Sequence, residues 1–357
     1  MTDAQPGAAA PDLPRRRLPH VGSWLGVAGA GIVLAFVVAL VVGNRADFPV
    51  AWDALRTANL GWLAVAAITM IASLVNLGMF HAAAQRAAGL DTPRLALVGA
   101  ATSANFLNLV TKSGGLAGLA ALNADAKLHD RRRSAVLAAY LLVVLMGEWT
   151  FAATLLATLV IMQAGGHLFA AEIAASAVFA VVVIAKIVVT VAAWRSPAML
   201  RRITSATARL KAKITRNRHG ATRSLPSVDQ AEEFAEVLSI IRSRPLRCLP
   251  VAGHAFAVEL FGVVELFAVV AAVGEGHSVS VALVAYSISV LFAIVGFLPG
   301  GLGFVEVSLT AALVTFGVAG GPAAAAVVLY RVVELWLPAA IGGPLTLRLR
   351  RSGRIPA

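Results

Sequence analysis

Eight ionisable side chains fall inside stretches of sequence that are otherwise apolar. Each costs about 2.5 to 3.5 kcal/mol to insert into a membrane, so each is a candidate for function rather than for packing. A base beside acids at that depth could hold a polar headgroup or pass a proton. These residues are Lys112, Glu148, Lys186, Glu259, Glu265, Glu306, Arg331 and Glu334.

The most informative group is Glu306, Arg331 and Glu334. Arg331 and Glu334 are three positions apart, which places both side chains on one face of a helix, and we expect Arg331 to lie between the two carboxylates. Two interpretations stay open: a buried ion-pair network that fixes helix register, or the lining of a polar cavity. Glu265 follows Glu259 by six positions and points elsewhere on a helix, so we leave it out of the predicted site.

Two glycine-rich breaks in apolar segments supply a second kind of candidate group. The stronger is FLPGGLGFVE at 297–306, and the weaker is NLVTKSGG at 108–115. An interrupted helix leaves backbone N–H groups unpaired, and the start of the next helix attracts anions. We therefore expect the two breaks to hold one anionic headgroup. For Glu148 and Glu259 two interpretations stay open: ion pairs of Glu148 with Lys112 and of Glu259 with Lys186, or isolated acids that face a water-filled crevice. The predicted substrate-binding residues are Lys112, Ser113, Gly114, Gly115, Glu148, Gly300, Gly301, Gly303, Glu306, Arg331 and Glu334.

The composition of the chain is that of an integral membrane protein. Of its 357 residues, 59% are hydrophobic and 13% are charged, with a mean hydropathy of +0.82, whereas soluble domains have about 45–50% apolar and about 25% charged residues. We expect an all-α polytopic fold with about six spanning helices. The predicted spans are residues 22–43, 61–84, 134–162, 168–193, 248–273 and 323–343.

The positions of Lys and Arg predict the orientation. If alternate loops face the cytoplasm, 25 of the 30 basic residues lie on that side, which is the positive-inside pattern and puts both termini in the cytoplasm. We expect a disordered tail at 1–20, a transmembrane domain at 21–345 that contains a basic cytoplasmic loop at 195–247, and a basic tail at 346–357. Because the charge follows the loops, nucleic acid is not a predicted partner.

The two breaks divide apolar segments that are predicted to form hairpins. Residues 95–124 are expected to enter the membrane from the cytoplasm and residues 279–318 from the outside, both as re-entrant hairpins. The order helix, hairpin, helix then occurs in 61–162 and, in the opposite orientation, in 248–343, which is an inverted-topology repeat of the type found in transporters. Full crossing by all four arms, with ten spans in total, remains the alternative.

No catalytic motif of a soluble enzyme is present in the sequence. There is no G-x-S-x-G elbow, no phosphate-binding G-x-x-x-x-G-K-[ST] loop and no H-E-x-x-H, and Cys248 is the single cysteine. We therefore predict no enzyme activity, no catalytic residue, no metal and no cofactor. Any driving force would be a gradient, a proton passing through Glu306 or Glu148, or simple downhill equilibration.

The second break and the residues after it resemble the transmembrane, flippase-like domain of lysylphosphatidylglycerol synthases and its stand-alone relatives. The specific part is Pro-Gly-Gly-Leu-Gly-x-x-Glu at 299–306, followed by Tyr330-Arg331, Glu334 and Trp336. Residues 108–118 are similar to the first glycine motif of that family. The resemblance covers about residues 22–345.

This resemblance implies a lipid translocase of the bacterial inner membrane that moves an anionic, aminoacylated or polyprenyl-linked lipid between leaflets. The aminoacyl-transfer domain of full-length synthases is expected to be absent, so a lipid-modifying enzyme would be a separate chain. The residues alone leave two other functions open, a proton-coupled carrier of a small anion and a non-transporting scaffold for an envelope-lipid synthase. They do not predict an oligomeric state.

Overall fold

The computed structural model describes residues 48–111, 115–129, 131–166, 170–195, 237, 239–274, 276, 278–296 and 298–351, and all regular elements in these ranges are helical. The predicted N-terminal tail, the span at 22–43 and most of the basic loop lie outside them. The helices are α1 (Phe48–Arg56), α2 (Leu60–Ala87), α3 (Val98–Thr111), α4 (Leu116–Leu128), α5 (Arg133–Ala164), α6 (Ala170–Arg195), α7 (Leu249–Ala272), α8 (Val279–Val295), α9 (Phe304–Thr315), α10 (Gly320–Arg331) and α11 (Leu337–Arg351). Short 3₁₀ turns at Pro245–Cys248 and Pro299–Gly301 precede α7 and α9.

The long apolar helices agree with the predicted spans. Within the described residues, four helical stretches are long and apolar enough to cross a membrane, and the predicted span at 168–193 coincides with α6. The prediction of an all-α, multi-pass membrane protein is confirmed. The four stretches are Leu60–Ala87, Arg133–Ala164, Pro245–Ala272 and Gly320–Leu349.

The outer surface of these helices is apolar. Ile68 on α2, Val160 on α5 and Val181 on α6 are 66%, 61% and 67% exposed, although each is a large aliphatic residue. In water this surface would favour aggregation, whereas in a bilayer it contacts hydrocarbon chains. The exposed side chains therefore mark the lipid-facing side of the protein.

Each predicted hairpin is a pair of short helices that pack against each other. The first consists of α3 and α4, with 14 and 13 residues, and the second of α8 and α9, with 17 and 12 residues. At 1.5 Å per residue the arms are about 18 to 26 Å long, shorter than the ~30 Å hydrocarbon core. These lengths favour re-entrant hairpins over ten full crossings. The second arm of the first hairpin ends at Leu128, later than the predicted Asn123.

The centre of the fold is an antiparallel pair, α2 and α7, which pack along their length. At one end the Asn59 N–H donates to the Ala272 carbonyl at 2.7 Å. Further along, the Asn76 side chain donates to the His254 carbonyl at 3.0 Å, and its Oδ1 lies 2.7 Å from His254 Nδ1. Because these bonds join the two helices at two levels and satisfy the buried Asn76 side chain, they fix the register of the pair.

The hairpins pack on helices from the other half of the chain. In the first hairpin, α3 lies against α11, where a Cβ on Gly342 would come within 2.7 Å of Phe106 Cβ. In the second hairpin, α8 lies against α5, where the Thr158 hydroxyl donates to Ser287 Oγ at 2.8 Å. In each half, the first arm of the hairpin therefore packs against the last helix of the other half. The opposite orientation of the two halves in the bilayer stays a prediction.

A π-helical turn, Val332–Trp336, joins α10 to α11, and the Leu337 N–H bonds to the Val332 carbonyl five residues back. Proline at position 338 explains this turn, because its ring would collide with the Glu334 carbonyl in a regular helix and it has no N–H to donate. The wider turn accommodates the proline next to the predicted site. Such turns are frequent at functional sites.

Candidate functional site

Glycines at the second break have backbone angles that other residues avoid. The φ angles of Gly300, Gly301 and Gly303 are 62°, 65° and 84°, in the left-handed region where a Cβ meets the following carbonyl. A Cβ on Gly301 would also lie 2.8 Å from the Ala293 Cα of the facing arm. The tight return of the chain between α8 and α9 therefore requires glycine at these positions.

Two N–H groups of this turn are bonded within the chain. Gly301 N–H donates to the Leu298 carbonyl at 3.0 Å, and Gly303 N–H donates to Glu306 Oε2 at 2.6 Å. Glu306 thus caps the first turn of its own helix, α9, where a carboxylate is favoured by the helix dipole. The prediction that Gly301 and Gly303 offer unbonded donors to an anion is wrong.

The guanidinium of Arg331 joins three elements at this turn. Its Nε donates to Glu306 Oε1 at 2.8 Å, its Nη1 to Glu334 Oε2 at 3.0 Å, and its Nη2 to the Gly300 carbonyl at 2.8 Å. The expected position of Arg331 between the two carboxylates is confirmed. Because α9, the glycine turn and the π turn all meet at one cation, this cluster fixes the geometry of the break.

The exposure of the cluster is uneven. The Arg331 side chain is 7% exposed, whereas those of Glu306 and Glu334 are 23% and 35% exposed. With two carboxylates and one guanidinium, the formal charge of this Arg331 cluster is negative. The two acids are therefore the more accessible side chains of the site, and acids suit a cationic group or a hydrogen-bond donor better than a bare anion.

The first break is described only in part, because Lys112, Ser113 and Gly114 lie outside the described residues. Gly115 has a φ of 89°, and its carbonyl accepts a hydrogen bond of 2.8 Å from the Tyr140 hydroxyl. The two arms are joined nearby, where Gly118 N–H donates to Asn108 Oδ1 at 2.8 Å. This turn therefore resembles the second in having a left-handed glycine and a side chain that closes it.

The second break lies next to the first hairpin in the fold. The Pro299–Gly301 turn packs against α3, and a Cβ on Gly300 would come within 3.5 Å of Leu109 Cδ1, near the end of α3. The second break thus touches the arm that leads into the first one, beside the Arg331 cluster.

Two predicted ion pairs depend on side chains that the structure does not describe. Glu148 lies on α5 and is half-buried, but its expected partner Lys112 is outside the described residues. The side chain of Lys186 is likewise outside them, so its pair with Glu259 stays a prediction. Neither acid contacts the Arg331 cluster through a hydrogen bond that the described residues record.

Sequence reasoning missed several polar residues near the breaks. Tyr140 was not predicted, although it closes the first turn, and its ring stacks on His81 at 6.1 Å between centroids. His81 itself is buried. Glu265, which was left out, is 2% exposed and interacts electrostatically with Glu334. The spacing of six positions from Glu259 indicated only that Glu265 lies on a different face of the helix. It did not indicate that Glu334 interacts with that face.

Two surface cavities lie at opposite ends of the α2–α7 pair. One, of about 290 Å³, is lined by Trp62 and Phe267 among others, and the other, of about 450 Å³, by Arg86 and Arg247 among others. Neither is lined by the Arg331 cluster. In the described part of the chain, no three His, Cys, Asp or Glu side chains are grouped so as to hold a metal ion.

A known protein family matches the chain over most of its length. The family model described as the lysylphosphatidylglycerol synthase TM region matches residues 23–342. The chain belongs to this family. The match includes both hairpins and the Arg331 cluster, and it covers a transmembrane region only. No curated protein was found to match the chain. Membership in the lysylphosphatidylglycerol synthase TM-region family indicates a role connected with membrane lipids.

Proposed function

We propose that this protein is a lipid translocase that moves a phospholipid headgroup between the leaflets of the bacterial inner membrane. The observation that carries the proposal is the contact between Gly300 in the second break and Leu109 in the arm that leads into the first break, beside the Arg331 cluster. Interrupted helices at corresponding places in two halves of a membrane protein typically form the substrate site of a transporter. A headgroup crossing the bilayer needs polar partners at that depth, and the cluster supplies them.

The charges of the cluster support one class of lipid among the three that the resemblance implies. Glu306 and Glu334 are more accessible than Arg331, so a cationic group on the headgroup would meet carboxylates first. A phosphate could then bond to the guanidinium, which has five N–H donors and uses three of them in the bonds described above. An aminoacylated phospholipid carries both groups. A small free anion fits this site less well.

A leaflet-exchange assay tests the proposal. Purified protein in vesicles that contain a fluorescent aminoacylated phosphatidylglycerol should expose the inner-leaflet probe to an added quencher faster than protein-free vesicles do. Glu306→Gln and Glu334→Gln should slow the exchange, because each removes a carboxylate that would meet the cationic group. Vesicles with fluorescent phosphatidylglycerol serve as the comparison for headgroup choice.

The matched control for these variants is Asp125→Asn. Asp125 forms an ion pair of 3.1 Å with Arg131, so its substitution also neutralises one carboxylate of a pair, but near the end of α4. Its exchange rate should equal that of the wild type. If folded Glu306→Gln and Glu334→Gln proteins exchange every probe at the wild-type rate, the cluster is not the headgroup site. Exchange that is absent from the wild type with all probes would count against translocase activity itself.

A further inference from the structure

Two acids in the interior of α7, Glu259 and Glu265, are not used by the proposed headgroup site. They are 6% and 2% exposed. Among the described residues, Glu259 Oε2 and Glu265 Oε1 have no hydrogen-bond partner. Because a buried carboxylate without a counter-charge is strongly disfavoured, burial at this place favours the neutral acid with its proton.

Glu265 is the one of these acids that reaches the Arg331 cluster. It interacts electrostatically with the Glu334 carboxylate of the π turn and with the phenols of Tyr286 on α8 and Tyr330 on α10. None of these three groups carries a positive charge that would stabilise a second carboxylate. The cation of the cluster, Arg331, is already bonded to Glu306 and Glu334.

Electrostatic interactions extend this group along the helix interfaces. Tyr286 interacts with the Glu259 carboxyl, and Tyr330 interacts with the Ser289 side chain on α8. Tyr286 also interacts with Glu265, and Glu265 with Glu334. Glu334 in turn is hydrogen-bonded to Arg331.

The other two helices that pack along α7 add few ionisable groups at this level. The contacts of Asn59 with Ala272 and of Asn76 with His254 set the α2 register and place residues 64–68 opposite Glu265. This stretch reads AVAAI and has no ionisable side chain. On α5, Glu148 is the ionisable residue in the middle of the helix. The experiment therefore has to distinguish the proton of Glu148 from that of Glu265.

We propose that Glu265 is a proton-binding site coupled to the headgroup site, so that binding of a cationic headgroup at Glu334 releases the proton of Glu265. The coupling rests on the proposed function, whereas the proton site does not. When no headgroup is bound, the negative charge of Glu334 keeps the proton on Glu265. When an ammonium group binds Glu334, its positive charge replaces that proton: the O–H bond of Glu265 breaks and the proton passes to water. The exchange of one cation for another makes the protein a proton–lipid antiporter.

Infrared spectroscopy tests the proton site without any transport. The measurement uses Glu259→Gln protein, because the second buried acid would otherwise contribute a band of its own. Purified Glu259→Gln protein should show a protonated carboxylic acid band at neutral pH that the further substitution Glu265→Gln removes and that Glu148→Gln leaves in place. Adding Glu334→Gln should lower the pH at which the Glu265 band disappears, because it removes the neighbouring negative charge. A band that survives in the Glu259→Gln, Glu265→Gln double variant, or a titration that Glu334→Gln leaves unchanged, overturns the site.

The leaflet-exchange assay tests the coupling. Wild-type exchange of aminoacylated phosphatidylglycerol should accelerate as pH rises, with about one proton released per lipid bound, and the Glu265→Gln rate should not depend on pH. Wild-type exchange that is independent of pH overturns the coupling. If the wild type shows the infrared band but exchanges no lipid, the proposed function fails while the proton site stands. If the wild type exchanges lipid but shows no infrared band, the proton site fails while the proposed function stands.

Discussion

Arg331 Nε donates a hydrogen bond of 2.8 Å to Glu306 Oε1. This bond connects the end of α10 to the first turn of α9 across 25 positions of sequence. The other oxygen of the same carboxylate accepts from Gly303 N–H at 2.6 Å. The Glu306 side chain thus caps the glycine turn and also binds the Arg331 guanidinium. The stability of the break and the charge of the site consequently depend on the same atoms.

Replacing Arg331 by Gln should destabilise the protein by about 3 kcal/mol. The substitution leaves the Glu306 and Glu334 carboxylates and the Gly300 carbonyl without their common donor, and breaking a buried ion pair typically costs about 3–5 kcal/mol. We take the lower end because both carboxylates are partly exposed. Chemical unfolding in detergent measures the change.

The control for this substitution is Arg131→Gln, in the Asp125–Arg131 pair of 3.1 Å. That pair is more accessible than Arg331 and has a single acceptor carboxylate, so the loss should be about 1 kcal/mol or less. Equal losses in the two variants would contradict a special role of the Arg331 cluster in the fold.

A double-mutant cycle with Glu306→Gln and Arg331→Gln should show strong coupling. Either single variant leaves a charged partner without its ion pair, whereas the double variant removes both charges. The double loss should therefore be smaller than the sum of the single losses by about 1–3 kcal/mol. Unfolding free energies of the four proteins, measured in the same detergent, give this coupling. Additive losses would mean that the two side chains act independently.

Gly300→Ala and Gly303→Ala should each destabilise the protein by about 1–2 kcal/mol, since both glycines have left-handed φ angles. In Gly300→Ala the new methyl group would also approach Leu335 Cδ1 to 2.9 Å. The matched variant is Gly253→Ala in α7, where a Cβ meets no atom within 4 Å. It should stabilise the helix by about 0.5–1 kcal/mol. Effects of the same sign in all three proteins would contradict the described turn.

Gly118→Ala should loosen the first hairpin. The new methyl group would approach Asn108 Oδ1 to 2.8 Å, displacing the side chain that accepts the Gly118 N–H bond. Loss of one buried hydrogen bond costs about 1–3 kcal/mol. Hydrogen exchange should accelerate in α3 and α4 but not in α8 and α9. Gly147→Ala on α5, in open space, is the control and should leave exchange in the hairpin unchanged.

Much of this fold could be predicted from sequence because long apolar runs and glycine breaks are local signals. The position of Arg331 between Glu306 and Glu334 followed from helix spacing and from the scarcity of charge in the spans. The capping of Gly303 by Glu306 could not be predicted, because it depends on the side-chain conformation within the turn. Nor could the neighbours of Glu265, since a helix that is apolar on all faces does not indicate which face meets which helix.

Impermeant thiol labelling tests the predicted orientation through the single cysteine of the chain. Cys248 is partly exposed at the start of α7, and Gly276 lies beyond the other end of this 24-residue helix, which is about 36 Å long and exceeds the ~30 Å hydrocarbon core. A charged maleimide should label Cys248 in inverted bacterial vesicles but not in intact cells. Gly276→Cys, combined with Cys248→Ser, should show the opposite pattern. Because Asn59 bonds to Ala272 at that second end, the result also fixes the orientation of α2; labelling of Cys248 in intact cells would reverse the predicted topology of both helices.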